Sequence, residues 1–326
     1  MIYDNLKEIA DEFDVFLFDA YGVFWEGNGF YAGSREIMAE LVANGKIVAV
    51  VSNTTALETD IEQTYTKRGL YKNRDYNCMY TSGELLKQQL QQKKITFESC
   101  QHPIKYYVIG KPHKNAFVQT IYQQVTNLHE ADFVYSGVPF MFTDDVKAYP
   151  EYSKQYLPVA LDALGNACVW DSLTEKPFEA VVDKAVALGL PLLNANPDFT
   201  AREGHPLIEG AEAVFVVRNG MIAEMFRKRG AEVLEFGKPH KNVYDYVFAR
   251  MQKDGIKIDK RRTCMIGDTV RTDIKGAVNV GIVPVLCVNT GVTANAILNG
   301  DTVENLCKNE KIDVKQIWQI KSVGGI

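Results

Sequence analysis

The sequence predicts an α/β fold: a parallel sheet with helical crossovers, into which a second, smaller α/β unit is inserted. Three observations predict it. Strand and helix signals alternate over the first hundred residues, the same alternation returns over the last ninety, and the block between them has a βα rhythm of its own. The boundaries read as 1–100 for the first part of the core, 101–233 for the insert and 234–326 for the second part. Two tandem domains would leave the first hundred residues too few strands to cover both faces.

The elements follow in order. "VFLFD" is a continuous apolar strand. "SREIMAELVANG" has helical spacing, with Ser34 as its N-cap and Gly45 as its stop. "IVAVVSN" is a second buried strand, and "TSGELLKQQLQQKK" is a helix opened by Thr81 or Ser82. In the middle block "YYVIG", "DFVYSGV" and "LPLLNANPD" read as strands, and "NAFVQTIYQQ" and "PFEAVVDKAVALG" as helices. Around "FTDDVKAYPEYSKQY" the pattern turns irregular, rich in aromatic and charged residues. The last part gives strand "AEVLEF", helix "NVYDYVFARMQKDG", strand "TCMIGD", helix "TDIKGAVNVG" and strand "VPVLCVN".

Composition narrows the function. A chain of 326 residues with 46% hydrophobic and 24% charged content has a real core. The net charge of −5 carries no basic block, which argues against nucleic acid or an anionic membrane as partner. The six cysteines are scattered without a C-x-x-C pair, so neither zinc nor a disulfide framework is expected. The start, "MIYDNLKEIADEFD", lacks the basic and apolar regions of a signal peptide. No apolar run approaches the ~18 residues of a membrane span. A reduced, cytoplasmic protein is the expectation.

Four signals carry chemistry. Asp19 ends a buried strand just before the turn residue Gly22, where a carboxylate can act as nucleophile or simply cap the turn. Ser52 and Asn53 end the next strand; a hydroxyl and backbone N–H groups there can hold a phosphate oxygen. Lys238 stands in "GKPHKNVY", an echo of "GKPHKNAF" at Gly110, and can neutralise charge shared by a nucleophile and a phosphate. Asp268 and Asp273, in "MIGDTVRTDIKGAVNVG", offer hard oxygen ligands at a strand end, which suits Mg²⁺. One parallel sheet can bring all four strand ends into one crevice.

With these four in order, the chain resembles the haloacid dehalogenase (HAD) superfamily, class IIA, the NagD-like phosphatases. "FDAYGVFWEG", "VSNTT", "GKPHKNVY" and "IGDTVRTDIKGAVNVGIVPVLCVNTGV" match the four motifs of that class, and "LLNANPD" resembles its Asn-Pro-Asp segment. The resemblance covers nearly the whole chain. It implies a Rossmann-like core with an inserted α/β cap and a Mg²⁺-dependent hydrolase acting on a small phosphorylated metabolite. Asp19 would form an aspartyl-phosphate, and Ser52, Asn53 and Lys238 would bind the phosphoryl group. Asp268 would hold the metal with Asp19 and the main-chain carbonyl of Tyr21, and Asp273 would support that shell and pair with Lys238. Asn196 and Asp198 would line the crevice between cap and core. Caps of this class often pair, which makes a homodimer the assembly implied.

Tyr21 departs from the pattern. Phosphatases of the superfamily carry there an Asp that protonates the leaving oxygen and later activates water. A phenol with a pKa near ~10 is seldom ionised at neutral pH and makes a poor base. "DAYG" is also similar to the first motif of the 2-haloacid dehalogenases, whose halide leaves without a proton. Those enzymes, however, place their cap between the first two motifs and use no metal. Three readings therefore stand: a phosphatase favouring good leaving groups, a phosphate-binding sensor without turnover, and a phosphotransferase. Beyond the motifs, His113 and His240 follow Lys-Pro in turns and read as solvated or capping residues, and Arg202 and His205 lie just beyond Asn196 and Asp198, where they could meet an anionic substrate. Tyr149, Tyr152 and Tyr156 read as packing within the insert.

Overall fold

Val15–Phe18 and Ile47–Ser52 are almost wholly apolar, and both faces of each are buried. Phe16, Phe18, Val48 and Val50 join one hydrophobic cluster, while Val15, Leu17, Ala49 and Val51 join another on the opposite face. A strand with no polar face belongs in the middle of a sheet covered on both sides. The computed structural model describes residues 2–27, 29–110, 114–139, 159–161, 167–169, 178–203 and 214–325.

Among the described residues these strands lie inside a seven-stranded sheet, in the order Ile2–Tyr3, Trp318–Ile320, Val283–Cys287, Thr263–Gly267, Val15–Phe18, Ile47–Ser52, Cys78–Thr81. Every pairing in it is parallel. Cys264 faces Phe16 and Phe16 faces Val48, so the three central strands end level with one another. That register puts Asp19, Ser52 and Asp268 along one edge. The strand order reverses there too, since the chain runs outward from Val15–Phe18 in both directions, and such a switch point opens a crevice.

A second sheet has five strands in the order Val233–Glu235, Leu192–Asn194, Phe133–Ser136, Lys105–Ile109, Gln123–Val125, again parallel. Tyr107, Ile109, Val134 and Leu192 pack with the helices Glu179–Ala187 and Asn219–Lys228. Tyr106, Val108, Phe133, Tyr135 and Leu193 share a cluster with Leu17, Tyr80 and Leu86 of the first sheet's layer. The two sheets thus stand on one continuous core. A hairpin, Thr200–Glu203 with Val214–Val217, and a short antiparallel pair, Val159–Leu161 with Ala167–Val169, complete the strands. Among the described residues no helix is long and apolar enough to cross a membrane.

Three expectations are corrected. "NAFVQTIYQQ" is not a helix: a single 3₁₀ turn, Lys114–Phe117, gives way to the edge strand Gln123–Val125. Gln119 has φ 60°, and the Thr120 hydroxyl donates to the Phe117 carbonyl at 2.7 Å, a local bond that competes with the helix ladder. The two GKPHKN copies therefore diverge, and only the second opens a long helix, Lys241–Lys253. Ser34 is the first helical residue rather than the cap. Its hydroxyl donates to the Tyr31 carbonyl at 2.7 Å, and Gly33 at φ 71° takes the cap position. Finally, "AEVLEF" joins the second sheet beside Leu192–Asn194 rather than the first.

Candidate active site

Asp19 leaves its strand with its N–H bonded to the Ile266 carbonyl at 2.9 Å, so its backbone is fixed by the neighbouring strand. Ala20 to Trp25 then turn tightly: the Ala20 carbonyl receives the Trp25 N–H at 3.0 Å, and Gly22 donates back to Trp25 O at 2.8 Å. Gly22 sits at φ 80°, open to glycine at no steric cost. Tyr21 is half-buried against the cluster holding Trp25 and Tyr65. The Tyr65 phenol is pushed well above its usual range by burial, with Tyr21 and Asp19 adding to the effect.

Lys238 is the hub. Its side chain is 1% exposed, and its Nζ lies 2.5 Å from Asp19 Oδ1 and 2.8 Å from Asp273 Oδ1. Burial alone would strip the proton from such an ammonium, but Asp19 and Asp273 outweigh it and hold the pKa above the ordinary lysine value. Asn53 fixes the backbone of this lysine. Its Oδ1 accepts from Lys238 N at 2.7 Å, and its Nδ2 donates to Lys238 O and to Asp198 Oδ1, each at 3.0 Å. One side chain thereby ties the lysine loop to the Asn-Pro-Asp segment. Ser52 is buried at its strand end and accepts the Thr54 N–H at 3.2 Å, a bond that leaves the hydroxyl proton unused.

Asp268 is seated between two glycines. Its Oδ2 accepts from Val292 N at 2.6 Å and its Oδ1 from the Thr269 hydroxyl at 3.1 Å. A Cβ on Gly22 would fall 2.2 Å from Asp268 Oδ2, and one on Gly291, at φ 61°, 1.9 Å from it. Gly291→Ala is therefore expected to displace this carboxylate. The measurement is a pair of titrations with Mg²⁺ and thermal melts: weaker binding, and a loss of more than ~1 kcal/mol of stability from the left-handed backbone. Unchanged Mg²⁺ affinity would remove Asp268 from the site.

Oxygen atoms of Asp19, Asp268 and Asp273 all lie within 4.8 Å of one another. Burial pushes the Asp268 carboxyl well up, and Asp273 and Asp19 push it further. Asp273 is held up to about 7 by burial, against the pull of Lys238. Three hard carboxylates so close, with one lysine between two of them, form a donor set that fits a divalent cation. Asp198, partly open to the crevice, is raised to about 6 by burial and by Asp19, while Lys238, Asn53 and Thr272 draw it down.

These shifts set a pH dependence. Unfolded carboxyls titrate near pH ~4, whereas the folded values for Asp198 and Asp273 are about 6 and about 7. Between those limits the native state binds more protons, so stability of the chelated protein falls as pH rises. Its melting temperature is expected to be higher at about pH 5 than at about pH 7.5, and saturating Mg²⁺ should raise it more at the higher pH. A flat profile with equal metal effects would contradict the crowded-carboxylate description.

Other residues singled out in the sequence fall elsewhere. Asn196 accepts the Asp198 N–H at 3.0 Å and so shapes the turn that presents Asp198. His240 Nε2 lies 3.0 Å from Glu235 Oε2, behind the lysine loop, and Arg202 is 3.5 Å from Glu26. His113, His205, Tyr149, Tyr152 and Tyr156 lie outside the described residues. Sequence reading missed Arg218, which is 4% exposed and close enough to Tyr21 and Asp198 to feel both. It also missed Phe199, whose ring lies 3.5 Å under the Arg271 guanidinium, joining the Asn-Pro-Asp segment to the turn after Asp268.

A family model described as haloacid dehalogenase-like hydrolase matches residues 16–122, and a second, HAD-hydrolase-like, matches residues 235–307. Phosphoglycolate phosphatase 1A, chloroplastic, of Arabidopsis thaliana is 26% identical over 90% of this chain and 74% of its own. The 4-nitrophenylphosphatase of Schizosaccharomyces pombe is 25% identical over 88% and 87% respectively. A haloacid dehalogenase-like hydrolase from Brucella suis 1330 has the same fold, with a TM-score of 0.70 over 98% of both chains at 20% identity. The two models fall on the segments that supply Asp19 and Asp268, and the chain belongs to the haloacid dehalogenase superfamily of hydrolases.

Proposed function

We propose that this protein is a Mg²⁺-dependent phosphatase of small phosphate monoesters that works through an aspartyl-phosphate on Asp19. The observation that carries the reading is the buried lysine bridging Asp19 and Asp273, with Asp268 beside them. Names of relatives agree in kind, one a phosphatase of phosphoglycolate and one of 4-nitrophenyl phosphate. In this reading the insert read from the sequence as 101–233, together with the whole of the strand Val233–Glu235, acts as a cap over the crevice.

The residues divide the work as follows. An Asp19 oxygen attacks phosphorus as the bond to the alcohol oxygen breaks, and water later cleaves the aspartyl-phosphate to restore Asp19. Lys238 keeps its proton because of its two carboxylate partners, so a fixed positive charge faces the phosphoryl oxygens throughout. Ser52 and Asn53 bound the phosphoryl pocket from the next strand end. Asp19, Asp268 and the Tyr21 main-chain carbonyl would hold Mg²⁺, with Asp273 behind them. When bound, the ion neutralises phosphoryl charge as a Lewis acid.

Tyr21 leaves the departing oxygen without a carboxylic acid, so esters whose alcohols depart unprotonated should be preferred. The test is phosphate release from aryl and alkyl phosphates, each with Mg²⁺ and with chelator. Faster aryl hydrolysis that depends on Mg²⁺ supports the reading, and equal rates for both ester types would contradict the role given to position 21. Tyr21 also favours a second reading, a sensor that binds phosphate compounds without turnover.

A further inference from the structure

We propose that Asn53 is a positioning residue and not a ligand of the phosphate: its side chain places Lys238 for the phosphoryl group and is itself held by Asp198 of the insert. The inference rests on the phosphatase reading for what Lys238 does, and goes beyond it in how the lysine is placed. Asn53 directly follows the strand Ile47–Ser52 and is 2% exposed.

The role follows from the chemistry of the amide. Its Oδ1 faces one N–H, that of Lys238 at 2.7 Å, and its Nδ2 faces two acceptors, Lys238 O and Asp198 Oδ1, each at 3.0 Å. Those partners fix which end is oxygen and which is nitrogen. A primary amide has two N–H hydrogens, and both are spent, so the side chain has none to offer an anion. A phosphate that took one would leave the Lys238 carbonyl or the Asp198 carboxylate without that donor.

Lys238 depends on this amide in turn. Its N–H and its carbonyl both bond to Asn53, and the next residue, Pro239, has no N–H. The loop is closed on its flanks by Phe236 N on Asn194 O and by His240 N on Gly237 O, each at 2.9 Å. At Gly237, φ 113°, a Cβ would stand 2.7 Å from Asn53 Oδ1 and 2.8 Å from Pro197 Cδ. Glycine there lets the amide, the lysine loop and the Asn-Pro-Asp segment meet. Asp198 is anchored within the insert, its N–H on Asn196 Oδ1 at 3.0 Å and its carbonyl accepting from Gly220 N at 2.9 Å. The lysine ammonium, 2.5 Å from Asp19 and 2.8 Å from Asp273, is therefore placed by a contact between insert and core.

The test reverses that contact. Asn53→Asp keeps the oxygen that accepts from Lys238 but has no hydrogen for Lys238 O, and it sets a carboxylate against Asp198. The double variant Asn53→Asp/Asp198→Asn restores a donor and an acceptor with the direction swapped, and keeps the wild-type number of carboxylates. Both are assayed beside the wild type and Asp198→Asn for nitrophenyl phosphate hydrolysis with Mg²⁺ and for inhibition by inorganic phosphate. Asn53→Asp is expected to lose about 10- to 100-fold in kcat/KM, the scale of a misplaced catalytic group, and to be inhibited less by phosphate. The double variant should regain about fivefold or more and approach Asp198→Asn. A phosphate ligand at position 53 would be lost as fully in the double variant as in the single one, and that result would overturn the proposal. So would a lower melting temperature with kcat/KM unchanged, which would leave Asn53 a packing residue.

Should Asn53→Asp fail to fold, Asn53→Ala, Asp198→Ala and their double are compared. Losses in kcat/KM that do not add support the coupling, and losses that add overturn it. If the wild type releases no phosphate, the phosphatase reading fails by itself, and the same comparison is made on calorimetric affinity for inorganic phosphate with Mg²⁺. A wild type that neither cleaves the ester nor binds phosphate overturns both.

Discussion

Asp19→Asn should lower kcat on nitrophenyl phosphate by about 10⁴-fold or more, because the amide cannot attack phosphorus and no second nucleophile stands at this strand end. The same change removes one of the two anionic partners of Lys238, 2.5 Å away, so phosphate binding need not fall with the rate. The fold itself should survive. Asp19 adds to the repulsion that pushes the Asp268 and Asp273 carboxyls up, and neutralising it relieves that crowding. Thermal melts of the chelated protein should therefore show the variant at least as stable as the wild type. Activity within tenfold of the wild type would remove Asp19 as nucleophile.

Tyr21→Asp is the second large effect, and its sign is a gain. Restoring a carboxyl at this position supplies the proton that an alkoxide needs, and general acid–base help is worth about 10²–10⁴ in rate. Alkyl phosphates should gain most of that factor, while aryl phosphates, whose leaving groups need no proton, should gain little. The ring also packs against the cluster of Trp25 and Tyr65, so the variant is expected to lose about 1–3 kcal/mol of stability. A gain of equal size on both ester classes would mean that the tyrosine acts by filling space and not through its missing proton.

Much of the fold was legible because its strands are extreme. "VFLFD", "IVAVVS" and "TCMIG" are apolar on both faces, and only a central parallel position buries them fully. The candidate site was legible for the same reason: the acidic and polar residues break those runs abruptly at one end. Short-range competition was not legible. The Thr120 hydroxyl and the turned backbone at Gln119 broke a helix that the apolar spacing alone suggested. Ser34 could serve as a cap or as a buried first-turn residue, and only packing against Phe24 and Tyr31 decides between them.

Arg218 escaped notice because "VVRNG" looks like a charged turn between a strand and a helix. Its burial depends on a segment some twenty residues earlier, the Asn-Pro-Asp turn, folding beneath it. The long-range role of Asn53 was hidden in the same way. Its placement after a strand was visible, but its three bonds to Lys238 and Asp198 join parts of the chain far apart in sequence.

The central claim is that a site with tyrosine at position 21 still turns over through Asp19. The most direct measurement incubates the wild type with an aryl phosphate and Mg²⁺, follows phosphate release, and examines the acid-quenched protein by peptide mass mapping. The account predicts steady release, abolished by chelator, and a phosphorylated peptide carrying Asp19. Tight phosphate binding with neither release nor a phosphorylated Asp19 would contradict it and leave a sensor in place of an enzyme.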